Sequence, residues 1–283
     1  MRIAWIGTGV MGTPMAINLS DAGHEVVAYN RTHEKARALE PDIRAYSDLA
    51  ACVKDRDVVF TMVGYPGDVE EVYETILAAA SPQTILIDMT TSSPSLARTI
   101  YERAGKRNLF SLDAPVTGGD LGAREATLSI MVGGDEDVFK RALPLFEILG
   151  ETVTYMGGAG MGQDMKLTNQ TVIAGNIAGI AEALTYASQK GIDLDRALKV
   201  INGGSASSWQ ARINGRKMVD KDYKPGFYVK HFLKDLKLVL AEKKDLSLPV
   251  LERVTKAHEV LAENGFADLG TQSFIEYYLR KMA

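Results

Sequence analysis

The chain has 283 residues, 46% of them hydrophobic and 24% charged, with a formal net charge of −4. This is the composition of a soluble globular protein with one large domain or two ordinary ones, enough to bury a substantial core. The slightly acidic balance, with no basic tract, speaks against a general nucleic-acid or membrane-surface function, so neither partner is expected.

The first element, "RIAWIG" (2–7), is a short apolar strand ending in glycine. It reads as structure rather than as a targeting segment, and no apolar run reaches the roughly 18 residues of a membrane span, so a cytoplasmic location is expected. Gly7, Gly9 and Gly12 then give the form G-x-G-x-x-G, running into residues 11–22, where Met11, Met15, Ala16, Leu19 and Ala22 recur at helical spacing. Strand, glycines and helix in this order make a dinucleotide-binding turn. Gly7 permits the tight turn, Gly9 lets a pyrophosphate approach the backbone, and Gly12 lets helix and strand pack closely. The helix N-terminus offers N–H groups to the phosphates. Val10 and Met11, between the glycines, are further candidate cofactor contacts.

A second strand, "HEVVAYN" (24–30), ends in Asn30-Arg31-Thr32. An NAD-preferring site often carries an acid here for the ribose 2′-hydroxyl. Two neutral polar residues and a guanidinium stand in its place. Arg31 can pair with a phosphate dianion, and His33 can add a donor, which points to NADP(H) over NAD(H). The alternative for Arg31 is a solvated surface residue.

A polar segment at 33–40 precedes Cys52, the single cysteine, which excludes an intramolecular disulfide and fits a reducing compartment. Strand "DVVFTMV" (57–63) ends in Met62 and Val63, candidate cofactor contacts at a strand terminus. A helix over about 68–80, strand "TILIDM" (84–89), a helix over about 94–106 and strand "NLFSLDA" (108–114) follow. Near-continuous apolar strands separated by helices predict a doubly wound parallel sheet covered on both faces. "DAPVTGGDLGAREATLSIMVGG" (113–134) comes next. Its Thr117-Gly118-Gly119 offers a hydroxyl and closely spaced N–H groups suited to a carboxylate, or merely shapes a turn.

Near residue 160 the texture changes. A long helix is expected over 164–190, then helices over 193–202, 206–220, 229–245, 249–264 and 271–282. The expected division is an α/β dinucleotide domain over 1–160 and an all-helical domain over 161–283. Lys166 starts the long helix, with Asn169 and Gln170 at i+3 and i+4 on the same face. Such a lysine can protonate a carbonyl oxygen, though most lysines are simply solvated. The four histidines, His24, His33, His231 and His258, show no ligand spacing, and no metal is expected.

Four motifs, "GTGVMGTPMAINLSDAGH", "DAPVTGG…GA…LSIMVGG", "GAGMGQDMKLTNQ" and "KDLKLVL" (234–240), lie in one order along nearly the whole chain. In these the sequence resembles the β-hydroxyacid dehydrogenase family. That family includes 3-hydroxyisobutyrate dehydrogenases, tartronate semialdehyde reductases and glyoxylate/succinic semialdehyde reductases. The resemblance implies a long helix joining the domains and a homodimer or homotetramer paired through the helical domain. It implies Lys166 as the catalytic proton donor, and Thr117, Gly118 and Gly119 as the substrate-carboxylate loop, where the family more often has serine. Asn169 and Gln170 stand where it usually has Asn-Asn, so Gln170 keeps an amide for the substrate. Lys234 and Asp235 match a Lys-Asp pair near the cofactor and the catalytic lysine. Thr91, in "DMTTSSP", matches a neighbour of the nicotinamide, and Phe227 an aromatic of the substrate pocket. Trp209, Tyr228 and His231 are further lining candidates.

The expected function is NADP(H)-dependent hydride transfer to or from a small carboxylate-bearing aldehyde or β-hydroxyacid, with Lys166 as proton donor or acceptor. Two rivals are an imine reductase on the same scaffold and a non-catalytic NADP-binding interaction protein. Relatives of both kinds tend to lack the lysine. A full-size 6-phosphogluconate dehydrogenase would need a longer helical half.

Overall fold

In the computed structural model, which describes residues 1–282, strands and helices alternate as their apolar spacing dictates. β1 (Arg2–Ile6), β2 (Glu25–Tyr29), β3 (Arg44–Tyr46), β4 (Val58–Thr61), β5 (Ile85–Asp88) and β6 (Phe110–Asp113) form a parallel sheet in the order 3-2-1-4-5-6. The linking helices are α1 (Gly12–Asp21), α2 (His33–Arg37), α3 (Leu49–Val53), α4 (Pro66–Ala79) and α5 (Pro94–Gly105). Their starts are chemically marked. Asp48 accepts the Ala51 N–H ahead of α3, and Ser93 accepts the Leu96 N–H ahead of α5, whose first residue is Pro94.

Alternation along β1 serves both faces of the sheet. Ile3 and Trp5 pack with Met15, Leu19, Phe60 and Phe146, whereas Ala4 and Ile6 pack with Val59, Tyr73, Ile76 and Ile100. The buried stacking of Trp5 on Phe60, with ring centroids 5.2 Å apart, anchors the first layer.

Residues 115–157, left without elements by periodicity, extend the sheet through β7 (Val116–Thr117), α6 (Gly119–Glu125), β8 (Ser129–Gly134), α7 (Glu136–Leu149) and β9 (Thr152–Gly157). β8 runs antiparallel to both β6 and β7, and β9 pairs parallel with β8. The sheet is therefore mixed at this edge, because the short connection through α6 returns the chain as an antiparallel neighbour.

The chain divides into two compact units, Met1–Lys166 and the part from Leu167 onward. α8 (Met161–Gln189), 29 residues and about 43 Å long, carries the chain from the first into the second. The second unit is helical, with α9 (Leu194–Gly203), α10 (Gly215–Asp220), α11 (Val229–Glu242), α12 (Pro249–Leu261) and α13 (Ile275–Leu279). Its core is built on Ile177, Ile180, Leu184, Phe232, Leu236, Leu261 and Phe274. The helix expected over 206–220 begins later, because Ser208 turns its hydroxyl to the Ala211 N–H and acts as a cap. A π-helical turn over Gln210–Asn214 then leads into α10. The helix expected over 271–282 is a 3₁₀ turn, Thr271–Phe274, followed by the short α13. No helix among the described residues is long and apolar enough to cross a membrane.

Candidate active site

The strand order reverses around β1, which lies between β2 and β4, and open α/β sheets bind ligands beyond the strand ends at such a point. The glycine loop follows β1 there. Gly7 has φ +102°, and a Cβ on it would stand 2.2 Å from the Met62 carbonyl oxygen. A Cβ on Gly12 would stand 2.0 Å from the Gly7 carbonyl oxygen and 2.8 Å from Trp5 Nε1. Trp5 Nε1 donates to that same carbonyl at 3.0 Å, fixing the turn from beneath. Gly9 differs, since a Cβ there would meet nothing within 4 Å. Packing requires glycine at 7 and 12 but not at 9, where open space faces the backbone. The Thr8 hydroxyl is buried with no partner among the described residues. An open backbone face and an unsatisfied hydroxyl in one loop fit a dinucleotide pyrophosphate. Val10 is exposed and Met11 packs partly against the core.

Asn30 ties this loop to the end of β2. Its Oδ1 accepts the Thr8 N–H at 3.2 Å, and its Nδ2 donates to the Thr32 carbonyl at 2.9 Å. Thr32 precedes α2 without capping it. Arg31 reaches across to α4, where its Nη1 donates to Asp68 Oδ1 at 3.0 Å. A carboxylate thus stands close to the position where β2 lacks one.

A second set of contacts joins the ends of β4 and β5 to the start of α8. The Val63 N–H donates to Thr90 Oγ1 at 3.0 Å. Gln163, fully buried, donates from Nε2 to the Thr90 carbonyl at 2.7 Å and accepts the Ser92 N–H on Oε1 at 2.9 Å. The segment flanking Thr91 is thereby held against the first turn of α8. Asp113, at the end of β6, accepts the N–H groups of Gly160 and Gln163 at 2.7 and 2.8 Å. The fit there is tight. A Cβ on Gly162 would come within 2.5 Å of the Met131 carbonyl oxygen, and one on Gly133 within 2.6 Å of Asp113 Oδ1. Lys166, one turn further along α8, is buried. Gly7, Met62, Val63, Thr91 and the start of α8 therefore form one connected set.

Burial pushes the Asp88 carboxyl up to about 6, against the opposing hydrogen bonds from the Thr61 hydroxyl at 2.7 Å and the Thr90 N–H at 3.1 Å. Burial also raises Asp113, and the N–H groups of Gly160 and Gln163 oppose it. Thr117, Gly118 and Gly119 lie at the β7–α6 connection. Gly118 has φ +136° and Gly119 φ +66°, a backbone that favours glycine at both positions.

Within the helical unit, Asn169, Gln170, Asp235 and Lys234 form a chain of contacts. Asn169 Nδ2 donates to Gln170 Oε1 at 3.0 Å, and Gln170 Nε2 donates to Asp235 Oδ2 at 2.7 Å. Lys234 Nζ lies 3.1 Å from Asp235 Oδ1. Gln170 and Asp235 are buried, so the carboxylate is matched by an amide and an ammonium, as a buried charge requires. Phe227 is half-buried against the helical core and meets Phe232 edge-on at 5.9 Å. Tyr228 and His231 contact each other edge-on at 5.6 Å, and Trp209 is exposed. Burial first, then Lys234 and Lys230, lower the His231 pKa.

Asp113, Gln163 and Asp68 are the residues that motif reading missed. The first two lie inside quoted motifs, and their carboxylate and amide, beside glycines at an expected strand end and helix start, are the available signal. Asp68 carries none, because its partner is distant in sequence.

Comparison with known proteins identifies the family. Residues 2–158 match the family described as the NAD binding domain of 6-phosphogluconate dehydrogenase. Residues 160–278 match that described as NAD-binding of NADP-dependent 3-hydroxyisobutyrate dehydrogenase. An uncharacterized oxidoreductase of Bacillus subtilis is 43% identical over 98% of this chain and 99% of its own. The 2-hydroxy-3-oxopropionate reductase of Escherichia coli is 37% identical over 98% of this chain and 96% of its own. A 3-hydroxyisobutyrate dehydrogenase structure from Mycobacterium tuberculosis, with L-serine, superposes with a TM-score of 0.91 at 33% identity, covering 98% of this chain and 99% of that one. The chain belongs to the 3-hydroxyisobutyrate dehydrogenase-like, or β-hydroxyacid dehydrogenase, family of NAD(P)-binding oxidoreductases.

Proposed function

We propose that the protein is an NADP(H)-dependent oxidoreductase whose substrate is a small carboxylate-bearing aldehyde or β-hydroxyacid, with Lys166 as proton donor or acceptor. The observation that carries this is the setting of Lys166. It is a buried lysine in the opening of α8, where Asp113 ties the helix to β6 and Gln163 ties it to the segment around Thr91. The dinucleotide, when bound, supplies or accepts the hydride. The loop of Gly7, Gly9, Val10, Met11 and Gly12 takes the pyrophosphate, and Asn30, Arg31 and Thr32 take the adenine ribose with its 2′-phosphate. Met62, Val63, Thr91 and Lys234 complete the cofactor contacts.

The Thr117 hydroxyl and the Gly118 and Gly119 backbone hold the substrate carboxylate, which fixes the reacting carbon. Lys166 gives a proton to the carbonyl oxygen in reduction and takes it back in oxidation. Asn169, Gln170, Phe227 and Asp235 orient the substrate. Residues 1–160 bind the dinucleotide in this reading, and residues 161–283 serve the substrate and subunit pairing. In this reading the helical part also pairs subunits into a dimer or tetramer.

The names of two relatives, a 2-hydroxy-3-oxopropionate reductase and a 3-hydroxyisobutyrate dehydrogenase, support this substrate class. The test is a panel of tartronate, succinic and methylmalonate semialdehydes and glyoxylate with NADPH, 3-hydroxyisobutyrate with NADP, and cyclic imines with NADPH. At least one acid is expected to reach a kcat/KM of about 10⁴ M⁻¹ s⁻¹ or more. Turnover of imines alone would overturn the reading.

A further inference from the structure

Arg31 and Asp68 are unequal partners. The Arg31 side chain is 77% exposed, at the end of β2, whereas that of Asp68 is 23% exposed, in the first turn of α4. Asp68 uses both oxygens. Oδ2 accepts the Tyr65 N–H at 3.0 Å, and Oδ1 accepts from Arg31 Nη1 at 3.0 Å. The carboxylate is therefore fixed by the start of its helix, where a negative charge is favoured by the exposed N–H groups. The guanidinium is the exposed member. It is held at one nitrogen, not in the two-point fork that makes arginine–carboxylate pairs strong.

We propose that Asp68 is a selectivity-determining residue for the dinucleotide. It holds Arg31 in an ion pair that a 2′-phosphate has to break. The chain consequently discriminates less between phosphorylated and unphosphorylated dinucleotides than Arg31 alone dictates. This rests on the reading that Arg31 meets the 2′-phosphate. Two effects act in the same direction. The ion pair has to be broken before the phosphate can take the arginine, at the modest cost of an exposed, single-contact pair. The carboxylate then stays behind, anchored on Tyr65, as a like charge near the phosphate. An NAD-preferring site carries its acid at the end of β2. Here the acid enters from α4 and arrives already bonded to the cation that opposes it.

Removing the charge while keeping the helix contact tests both effects together. In Asp68→Asn the amide oxygen still accepts the Tyr65 N–H. The ratio of kcat/KM for NADPH over NADH is expected to rise about five- to tenfold, through a lower KM for NADPH. Calorimetry is expected to show adenosine 2′,5′-bisphosphate binding tighter by a similar factor, with adenosine 5′-monophosphate changed less than twofold. Asp68→Glu, which keeps the charge, is expected to stay near the parent ratio. In an Arg31→Ala background only the like-charge part remains, so the effect of Asp68→Asn is expected to shrink to about twofold. Asp68→Ser carries the same test should Asp68→Asn fail to fold. An unchanged or lowered ratio in the neutral variant, or an effect that persists in full without Arg31, overturns the proposal. If Arg31→Ala alone leaves NADPH preference intact, the reading of Arg31 as the 2′-phosphate partner fails instead, whatever Asp68 does.

Discussion

Asp113 Oδ2 accepts the main-chain N–H of Gln163 at 2.8 Å while its Oδ1 accepts that of Gly160 at 2.7 Å. Both donors belong to the opening of α8, where helical N–H groups have no partner within the helix. One carboxylate at the end of β6 thus satisfies two buried donors and meets the positive end of a 29-residue helix. Asp113→Asn keeps one good acceptor and turns an amide NH₂ toward the other donor. The expected cost is about 1–3 kcal/mol, read as a lower urea midpoint for unfolding. An unchanged midpoint would show that water replaces the lost acceptor without penalty.

Gln163 makes a second tie, to Thr90 and Ser92, and its loss has a different signature. Gln163→Ala strands the Thr90 carbonyl and the Ser92 N–H, at an expected cost of about 2 kcal/mol. Because the tie locates the segment around Thr91 against the turn that leads to Lys166, kcat is expected to fall about ten- to hundredfold. The dissociation constant for NADPH is expected to change less than threefold. If kcat is retained while stability falls, Gln163 matters to folding alone.

The alternating first half was readable because its strands are apolar on both faces, so each stood out as a run bounded by turns. The glycine loop was readable because Gly7 and Gly12 leave no room for a Cβ, a constraint that appears directly as residue identity. Residues 115–157 were not readable in this way. β7 has two residues, and β8 includes Gly133 and Gly134, whose lack of side chains follows from packing against Asp113, Gly162 and Leu112 rather than from strand propensity. The Asp113–Gln163 and Arg31–Asp68 pairs are long-range choices of partner, which no local spacing encodes. Seryl capping at Ser208 likewise displaced a helix start that hydrophobic spacing alone put too early.

The core of the helical unit contains a group that should make stability fall in mild acid. His258 is fully buried, stacked on Phe274 at 4.3 Å and edge-on to Phe232 at 5.1 Å, with Nδ1 2.9 Å from the Val254 carbonyl oxygen. Burial lowers its pKa from 6.5 to about 4. Between these values the unfolded imidazole binds a proton that the folded one refuses. The stability it confers is therefore present above 6.5 and lost as pH falls toward 4, by up to about 3 kcal/mol. Asp88, raised to about 6, acts in the opposite sense, adding stability as pH falls through the same range. His258→Phe isolates the histidine, so its unfolding free energy is expected to fall less steeply between pH 6.5 and 4 than that of the parent. Parallel pH profiles for the two proteins would remove His258 as the cause.

The three glycines of the loop should separate into two classes. Gly7→Ala forces a side chain into positive φ and 2.2 Å from the Met62 carbonyl oxygen, so a loss of several kcal/mol in stability is expected. Gly9→Ala meets nothing within 4 Å, and its unfolding free energy is expected to match the parent within about 0.5 kcal/mol. Its dissociation constant for NADPH is nevertheless expected to rise about tenfold or more, because in the proposed cofactor site the methyl stands where a pyrophosphate approaches the backbone. Retained affinity in Gly9→Ala would locate the pyrophosphate elsewhere.

Lys166→Ala should separate chemistry from binding. The contacts that hold the loop of Gly7, Gly9 and Gly12, the end of β2 and the segment around Thr91 are made by other residues, so NADPH affinity is expected to stay within about threefold of the parent. Without the proposed donor for the carbonyl oxygen, kcat is expected to fall about 10²-fold or more. Lys166→Arg adds a sharper condition. A guanidinium keeps the positive charge but scarcely gives up its proton near neutral pH, so it is expected to preserve substrate KM better than alanine while recovering little of kcat. Recovery of kcat by arginine would mean that Lys166 acts through charge alone, and near-normal turnover in Lys166→Ala would move the proton transfer to another group.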